Sequence, residues 1–473
     1  MMSHSPLYLH NTSIVFPQKI CFEAFSTHIY YGQHIGIIGR NGCGKSSMLH
    51  MIQGLLEATT GHVHIPENAK FGYVRQVIEV FESMSGGQRF QKSLSFSLAQ
   101  EPNILCLDEP TNHLDLKNRK SLLKKLKDFP GTIIIVSHDT ELLNTCVDTI
   151  WDIHEEGKVT LFSGTYQQYT HEKEAAWSAR LHQVHTLQKE HKKAKAHVQF
   201  EQKRAAQSKR VNVHENDRKL KGALKEKGSQ TVGKNQRKLN DLQKQIGDAL
   251  QKAHLPERIY PKFSISTETG LSSKTLVAVS EGKCGHEIFL IEDIYFQIKG
   301  KDRIVLRGDN GSGKSTFLKA LFSVPGILKS GHWFTPSSQE IGYLDQHYAL
   351  LNPELTVFEM FQKRNPGWSN AEIRRYLNDF LFRKNEEVMT KIKTLSGGEK
   401  ARLSLAHISA YTPKLLILDE VTNNLDLETR AHMIDVLKNY PGALLVVSHD
   451  EDFLSQIHIS EFYKVTKGHI QKG

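Results

Sequence analysis

The chain has 473 residues, of which 39% are hydrophobic and 24% charged, and a formal net charge of +10. That length allows two or three domains with large cores, and the composition is that of an ordinary globular protein with no apolar run near the eighteen or so residues that span a bilayer. The opening MMSHSPLYLHNTS lacks the basic and apolar regions of a signal peptide, and Cys21, Cys43, Cys106, Cys146 and Cys284 show no paired spacing, which argues for a reducing compartment and against a zinc or iron–sulfur site.

In chain order, HIGIIG (residues 34–39) reads as a buried strand feeding the glycine loop GRNGCGKSS (39–47), followed by the helical pattern SSMLHMIQGLL (46–56). A G-x-x-x-x-G-K-[ST] loop between strand and helix turns backbone N–H groups onto phosphates, with glycine wherever a side chain would block the curl. The candidate ligands are Gly39, Arg40, Asn41, Gly42, Cys43, Gly44, Lys45, Ser46 and Ser47, with Lys45 on the β- and γ-phosphates and Ser46 on Mg²⁺. The strand-like FGYVR (71–75) precedes Gln76, a candidate sensor of metal and γ-phosphate. Only VIEVFESM separates Gln76 from a serine-glycine turn, Ser85, Gly86, Gly87 and Gln88, ahead of the helix RFQKSLSFSLAQ (89–100). NILCLDE (103–109) is a central strand ending in Asp108, a metal candidate through its water shell, and Glu109, placed to polarise an attacking water. GTIIIVS (131–137) is another strand, and His138 at its end can contact a γ-phosphate. Phe16 is the candidate for adenine stacking in this half.

The next segment is basic. Residues 171–253 hold twenty Lys and Arg against nine Asp and Glu, while the rest of the chain is nearly balanced at 41 against 42. Concentration of the whole excess in one insert favours a polyanion partner over a merely solvated face. Residues 171–206 contain no Gly or Pro and carry a thin stripe of Trp177, Leu181 and Val184; Leu239, Leu242, Ile246 and Ala249 form a second stripe with helix-pair spacing. Two antiparallel helices joined by a basic tip are predicted, the first roughly 50 Å long. A flexible linker is the alternative.

The elements then repeat. RIVLRG (303–308) feeds GDNGSGKST, giving Gly308, Asp309, Asn310, Gly311, Ser312, Gly313, Lys314, Ser315 and Thr316 as phosphate and metal candidates, with STFLKALF as the helix. Gln346 follows a strand, LSGGE supplies Ser396, Gly397, Gly398 and Glu399 ahead of KARLSLAHIS, KLLILDE ends in Asp419 and Glu420, and GALLVVS leads into His449. Lys45 and Lys314 are 269 apart and Gln76 and Gln346 are 270 apart, but Gly86 to Gly397, Asp108 to Asp419 and His138 to His449 are all 311 apart. About forty residues therefore separate the copies in length between glutamine and glycine turn. The counterpart of Phe16 falls in CGHEIFL, which offers His286 or Phe289 without choosing between them.

Over residues 10–165 and 275–465 the chain resembles ATP-binding-cassette proteins, and DEPTNHLD (108–115) resembles the ABC-F branch, soluble twin-cassette ATPases that act on ribosomes. The resemblance implies an α/β fold of two tandem ABC-type P-loop nucleotide-binding domains joined by a long α-helical hairpin: 1–165 the first cassette, 166–258 the basic linker with its tip at about 206–235, and 259–473 the second cassette. It implies ATP and Mg²⁺ (held by Ser46, Gln76 and Asp108, and by Ser315, Gln346 and Asp419), with head-to-tail cassettes in a monomer. One site would join Lys45, Gln76, Asp108, Glu109 and His138 to Ser396 and Gly398; the other would join Lys314, Gln346, Asp419, Glu420 and His449 to Ser85 and Gly87. The second cassette departs from the pattern at DEVTNNLD, where Val421 and Asn424 replace proline and histidine, but the acidic pair is kept and hydrolysis is expected at both sites.

The short stretch after Gln76 has no room for the helical subdomain of transporter ATPases or for the ribosome-stalk arm of housekeeping ABC-F members. A stripped first cassette with a long basic linker resembles the antibiotic-resistance group. In that group the linker enters the tRNA exit site of the large subunit, beside P-site tRNA and toward the peptidyl-transferase centre, to free the ribosome from drug. The expectation is a cytoplasmic ribosome-protection ATPase with rRNA and tRNA as partners and neither membrane nor DNA. A housekeeping ABC-F translation factor that relieves stalled ribosomes is the alternative, and a transporter's ATPase subunit a more distant one, since it predicts a short linker and two full helical regions.

Overall fold

The computed structural model describes residues 3–17, 19–75, 86–112, 114–154, 156–208, 274–309, 311–345, 348, 351–411, 413–466 and 468–473. The chain divides into two compact units, one formed by Met1–Tyr166 with Arg258–Gly473 and the other by Gln167–Glu257.

Each half of the first unit is built on a six-stranded sheet. In the first half β3 (His34–Gly39), β5 (Phe71–Val74), β6 (Ile104–Asp108), β7 (Thr132–Val136), β8 (Thr149–Ile153) and β9 (Val159–Ser163) lie in the order β5-β6-β7-β3-β8-β9, all pairs parallel except β8 with β9. Strands β6 and β7 are buried at every position, which is why ILCLD is apolar up to its terminal aspartate and TIIIV is apolar after its first threonine. The second half repeats this with β12 (Arg303–Arg307), β14 (Ile341–Asp345), β15 (Leu415–Asp419), β16 (Ala443–Val447), β17 (Glu461–Thr466) and β18 (His469–Lys472), in the order β14-β15-β16-β12-β17-β18. A three-stranded antiparallel sheet accompanies each: β1 (Leu7–Phe16), β2 (Lys19–Ile29) and β4 (Thr60–His64) in the first half, β10 (Thr275–Gly285), β11 (Phe289–Lys299) and β13 (Leu328–Phe334) in the second.

The glycine loops end on helices α1 (Lys45–Ile52) and, in the second half, α6 (Lys314–Leu321). Gly44 and Gly313 cap them at φ 104° and 100°, a left-handed conformation suited to glycine. A Cβ on Gly44 would lie 2.6 Å from the Cβ of Cys21 on β2, so the small sheet pins the loop from outside. Helices α2 (Gly86–Ala99), α3 (Leu116–Lys127) and α4 (Thr140–Cys146) complete the first half. The second half adds a layer between β14 and its glycine turn: α7 (Val357–Arg364), α8 (Asn370–Asp379), α9 (Asn385–Met389) and a short 3₁₀ turn. Thr356 with Glu359 and Ser369 with Glu372 form capping boxes that start α7 and α8. Phe361, Ile373, Leu377 and Phe380 bury that layer in one core with α10 (Gly397–Tyr411), and the Tyr376 hydroxyl donates to the Ala406 carbonyl at 2.8 Å. Helices α11 (Leu427–Lys438) and α12 (Glu451–Gln456) follow.

In the second unit α5 (Tyr166–Ser208) runs 43 residues, roughly 65 Å. Val184 is buried, and Trp177, Leu181 and Leu187 are part-buried. The basic tip and the stripe of Leu239, Leu242, Ile246 and Ala249 lie outside the described residues.

Candidate functional site

The carboxyl ends of three parallel strands meet at each glycine loop, where open α/β sheets bind ligands. In the first half Ile37 on β3 pairs with Val136 on β7, and Val136 with Asp108 on β6, so the loop, the acidic pair and His138 share one edge. Lys45 is buried and its Nζ donates to the Gly39 and Arg40 carbonyls at 2.9 and 3.0 Å; Lys314 does the same with Gly308 and Asp309 at 2.8 and 3.0 Å. Each loop thus holds its own ammonium at its mouth, poised to exchange carbonyl oxygens for phosphate oxygens.

Glu109 and Glu420 adopt left-handed backbone conformations at φ 47° and 50°, rare for a side-chain-bearing residue. Their N–H groups donate to the Val136 and Val447 carbonyls, both at 2.9 Å, which fixes the reversal and turns each carboxylate away from its strand. Strain repeated at the same position of both copies marks a constrained site. The His138 N–H donates to Glu109 Oε2 at 3.4 Å, and the ring Nε2 stands 3.4 Å from Oε1. Oε1 of Glu109 and both ring nitrogens of His138 are buried without hydrogen-bond partners in the protein, as is Nε2 of His449. Burial raises the Glu109 carboxyl to about 8, against the opposing pull of Lys45. Burial chiefly, with Lys45 adding to it, drives His138 down to about 3; burial and Lys314 take His449 to about 4. Both imidazoles are therefore neutral near pH 7.

A magnesium site needs hard oxygen donors, with water and phosphate completing the shell. Asp108 takes a hydrogen bond from Ser46, and Asp419 from Ser315 and from the Tyr343 hydroxyl, the last at 3.0 Å. A hydroxyl beside a carboxylate in both halves fits that ion. Among the described residues no cluster of three His, Cys, Asp or Glu offers an all-protein cage.

The two halves touch across this edge. A cavity of about 250 Å³ is lined by Lys19, Arg40 and Asn41 of the first half and by Ser396, Gly398, Glu399, Arg402 and Asp426 of the second, among others. Ser396 Oγ donates to Glu399 Oε2 at 2.7 Å, fixing the glycine turn at the start of α10. The Asn41 N–H donates to Asp426 Oδ2 at 3.3 Å, and Arg40 grips Glu428 with Nε and Nη2, both at 2.6 Å. Nearer the centre, Arg119 Nη1 donates to the His449 carbonyl at 3.1 Å and Thr140 Oγ1 to Asp452 Oδ2 at 3.3 Å.

Gln76, Ser85, Asn310 and Gln346 lie outside the described residues, and for Gly86, Gly87 and Gln88 only the backbone, at the start of α2, is described. Phe16 and Phe289 are exposed at the ends of their strands. Several contacts escaped sequence reasoning. Arg119 and Arg430 stand 311 residues apart and bind Asp139 and Asp450, also 311 apart, so comparing the copies position by position would have exposed them. Tyr343 gave no such signal, because its counterpart Tyr73 bonds His50 Nε2 at 2.9 Å instead of an aspartate.

A protein-family model described as "ABC transporter" matches residues 22–76 and 291–423. The chain is 28% identical over 471 residues to "Ribosome protection protein VmlR" of Bacillus subtilis, covering 95% of this chain and 84% of that protein. It is 30% identical over 471 residues to "Erythromycin resistance ATP-binding protein MsrA" of Staphylococcus epidermidis, covering 92% of each. A third relative, "ATP-binding protein Uup" of Buchnera aphidicola, is 27% identical over 512 residues, covering 95% of this chain and 79% of its own length. Among the described residues no helix is long and apolar enough to cross a membrane.

Proposed function

Because the chain belongs to the ABC-F family of twin-cassette ATPases, we propose that it hydrolyses ATP at two shared sites and uses ATP-driven closure to drive its basic linker into the ribosome, protecting it from an antibiotic. The observation that carries the shared-site part is the single cavity walled by the first glycine loop and the second half's glycine turn. On this reading 1–165 and 259–473 are the cassettes, 166–258 is the ribosome-directed linker, and the protein works as a cytoplasmic monomer.

The chain's residues divide the work as phosphoryl transfer requires, by position and charge. Lys45 and Lys314 release loop carbonyls and bind phosphate oxygens. Ser46 with Asp108, and Ser315 with Asp419, would hold Mg²⁺, which when bound neutralises charge on the phosphates. Glu109 and Glu420 orient the attacking water and take its proton; with its carboxyl raised to about 8 by burial, Glu109 does so in its ionised fraction, which the ammonium of Lys45 favours. His138 and His449, neutral near pH 7, can accept or donate a hydrogen bond without adding charge.

The ribosomal part is supported by the names of the relatives and by the basic excess of residues 171–253. Glu109→Gln with Glu420→Gln is expected to retain ATP and lose about 10²- to 10⁴-fold in phosphate release. The same variant should co-sediment with ribosomes in ATP, less so as salt rises or when residues 208–235 are removed. Undiminished phosphate release would refute the catalytic assignment; indifference to ribosomes in every nucleotide state would refute the target.

A further inference from the structure

Resting on the shared-site reading above, we infer that charge pairs of exchanged sign at the two rims select pairing between the halves of one chain and reject pairing between like halves of different chains. Arg40 and Glu428 meet at the first rim in a two-point contact, both bonds 2.6 Å. In the register of the repeat, Arg40 corresponds to Asp309, 269 residues on, and Glu428 to Lys117, 311 residues back. The same two positions recur at the other rim with their signs reversed.

Asp309 and Lys117 are exposed, and among the described residues no ion pair joins them. They nevertheless belong to one neighbourhood, since the charges of Asp309 and of Asp115, two residues before Lys117, both act on Lys314 and on His449. Closure of the second rim on nucleotide brings them into contact. Lys117 lies in the first turn of α3, whose start is capped by Asp115 accepting from the Asn118 N–H at 2.8 Å. A cation there opposes the helix dipole, whereas Glu428 in the first turn of α11 is favoured by it. The lysine is a local cost that the pairing role explains.

The worth of the exchange lies in what it forbids. A half-exposed Arg–Glu pair adds little to closure by itself. Two first halves brought together would set Arg40 against Lys117 at both rims, and two second halves would set Asp309 against Glu428. Opposed like charges reject wrong partners more effectively than single attractive pairs recruit right ones.

The test uses the full chain carrying Glu109→Gln and Glu420→Gln, with ATP and Mg²⁺, its molar mass read by light scattering over a range of concentrations. The parent is expected at the mass of one chain. Lys117→Glu repels Asp309 within the chain and attracts Arg40 of a second chain; it also suits the start of α3, so the fold is not at risk. It should raise the two-chain species about tenfold or more at equal concentration, whereas Lys117→Gln, which neither repels Asp309 nor attracts Arg40, should raise it far less. A Lys117→Glu chain that keeps ATP and one-chain mass throughout overturns the inference. A parent that fails to retain ATP instead overturns the shared-site reading. The charge inference is then decided in the nucleotide-free chain, where Arg40 and Glu428 already touch, by whether Lys117→Glu promotes self-association and Lys117→Gln does so far less.

Discussion

The two cassettes have sheets of the same strand order and the same strained glutamate, yet differ in what covers the helix after the glycine turn. In the second, Phe361 and its neighbours from α7 and α8 bury one face of α10, and His407 on α10 lies edge-on to the Phe361 ring. In the first, only ten residues, 76–85, separate β5 and its following arginine from α2, and Phe96, the counterpart of His407, is 69% exposed. The sheet, the loop and the acidic strand end do not depend on that layer. It is an addition to a self-sufficient nucleotide-binding core, and its absence leaves an aromatic ring in solvent.

The hardest test of that equivalence is catalytic. If both sites hydrolyse, Glu109→Gln and Glu420→Gln made singly should each slow phosphate release at their own site by about 10²- to 10⁴-fold, leaving the other site's rate visible in single-turnover measurements. Next in size, Phe361→Ala should destabilise the second cassette by about 3–5 kcal/mol in denaturant unfolding. Phe96→Ser in the first should change stability by only about 0.5 kcal/mol.

The third prediction is a pH effect. Burial, then Arg364, holds His407 down at about 4, below its ordinary 6.5. The unfolded chain therefore binds the proton first, and the stability this neutral ring contributes is present above pH 6.5 and lost as pH falls toward 4, about 3 kcal/mol in all. His407→Phe, which copies the first cassette, should outperform the parent increasingly over that window; a difference independent of pH would refute it. The smallest contrast concerns the loop glycines. Gly44→Ala drives a Cβ to 2.6 Å from Cys21 Cβ, next to the backbone, whereas Gly313→Ala meets the ends of Ile291 and Leu290 at 3.0 Å. Both share the left-handed penalty of about 1–3 kcal/mol, and Gly44→Ala should show the lower melting temperature.

Local rules made much of this legible from residues alone. Continuous apolar runs such as TIIIV can only be strands covered on both faces, and a glycine loop between strand and helix has one chemistry, so the α/β fold, the two loops and the acidic strand ends follow from short-range pattern. The shift in repeat offset from 270 to 311 located the extra layer before any coordinate did. What pattern could not give was contact across the interface. Arg40 lies 388 residues from Glu428, and Arg119 lies 330 from His449. No propensity or period links positions so far apart; only the packing of one half on the other decides which charge meets which. The protonation of Glu109 and His138 was hidden for the same reason, because desolvation is a property of everything folded around a group and not of the residues beside it in the chain.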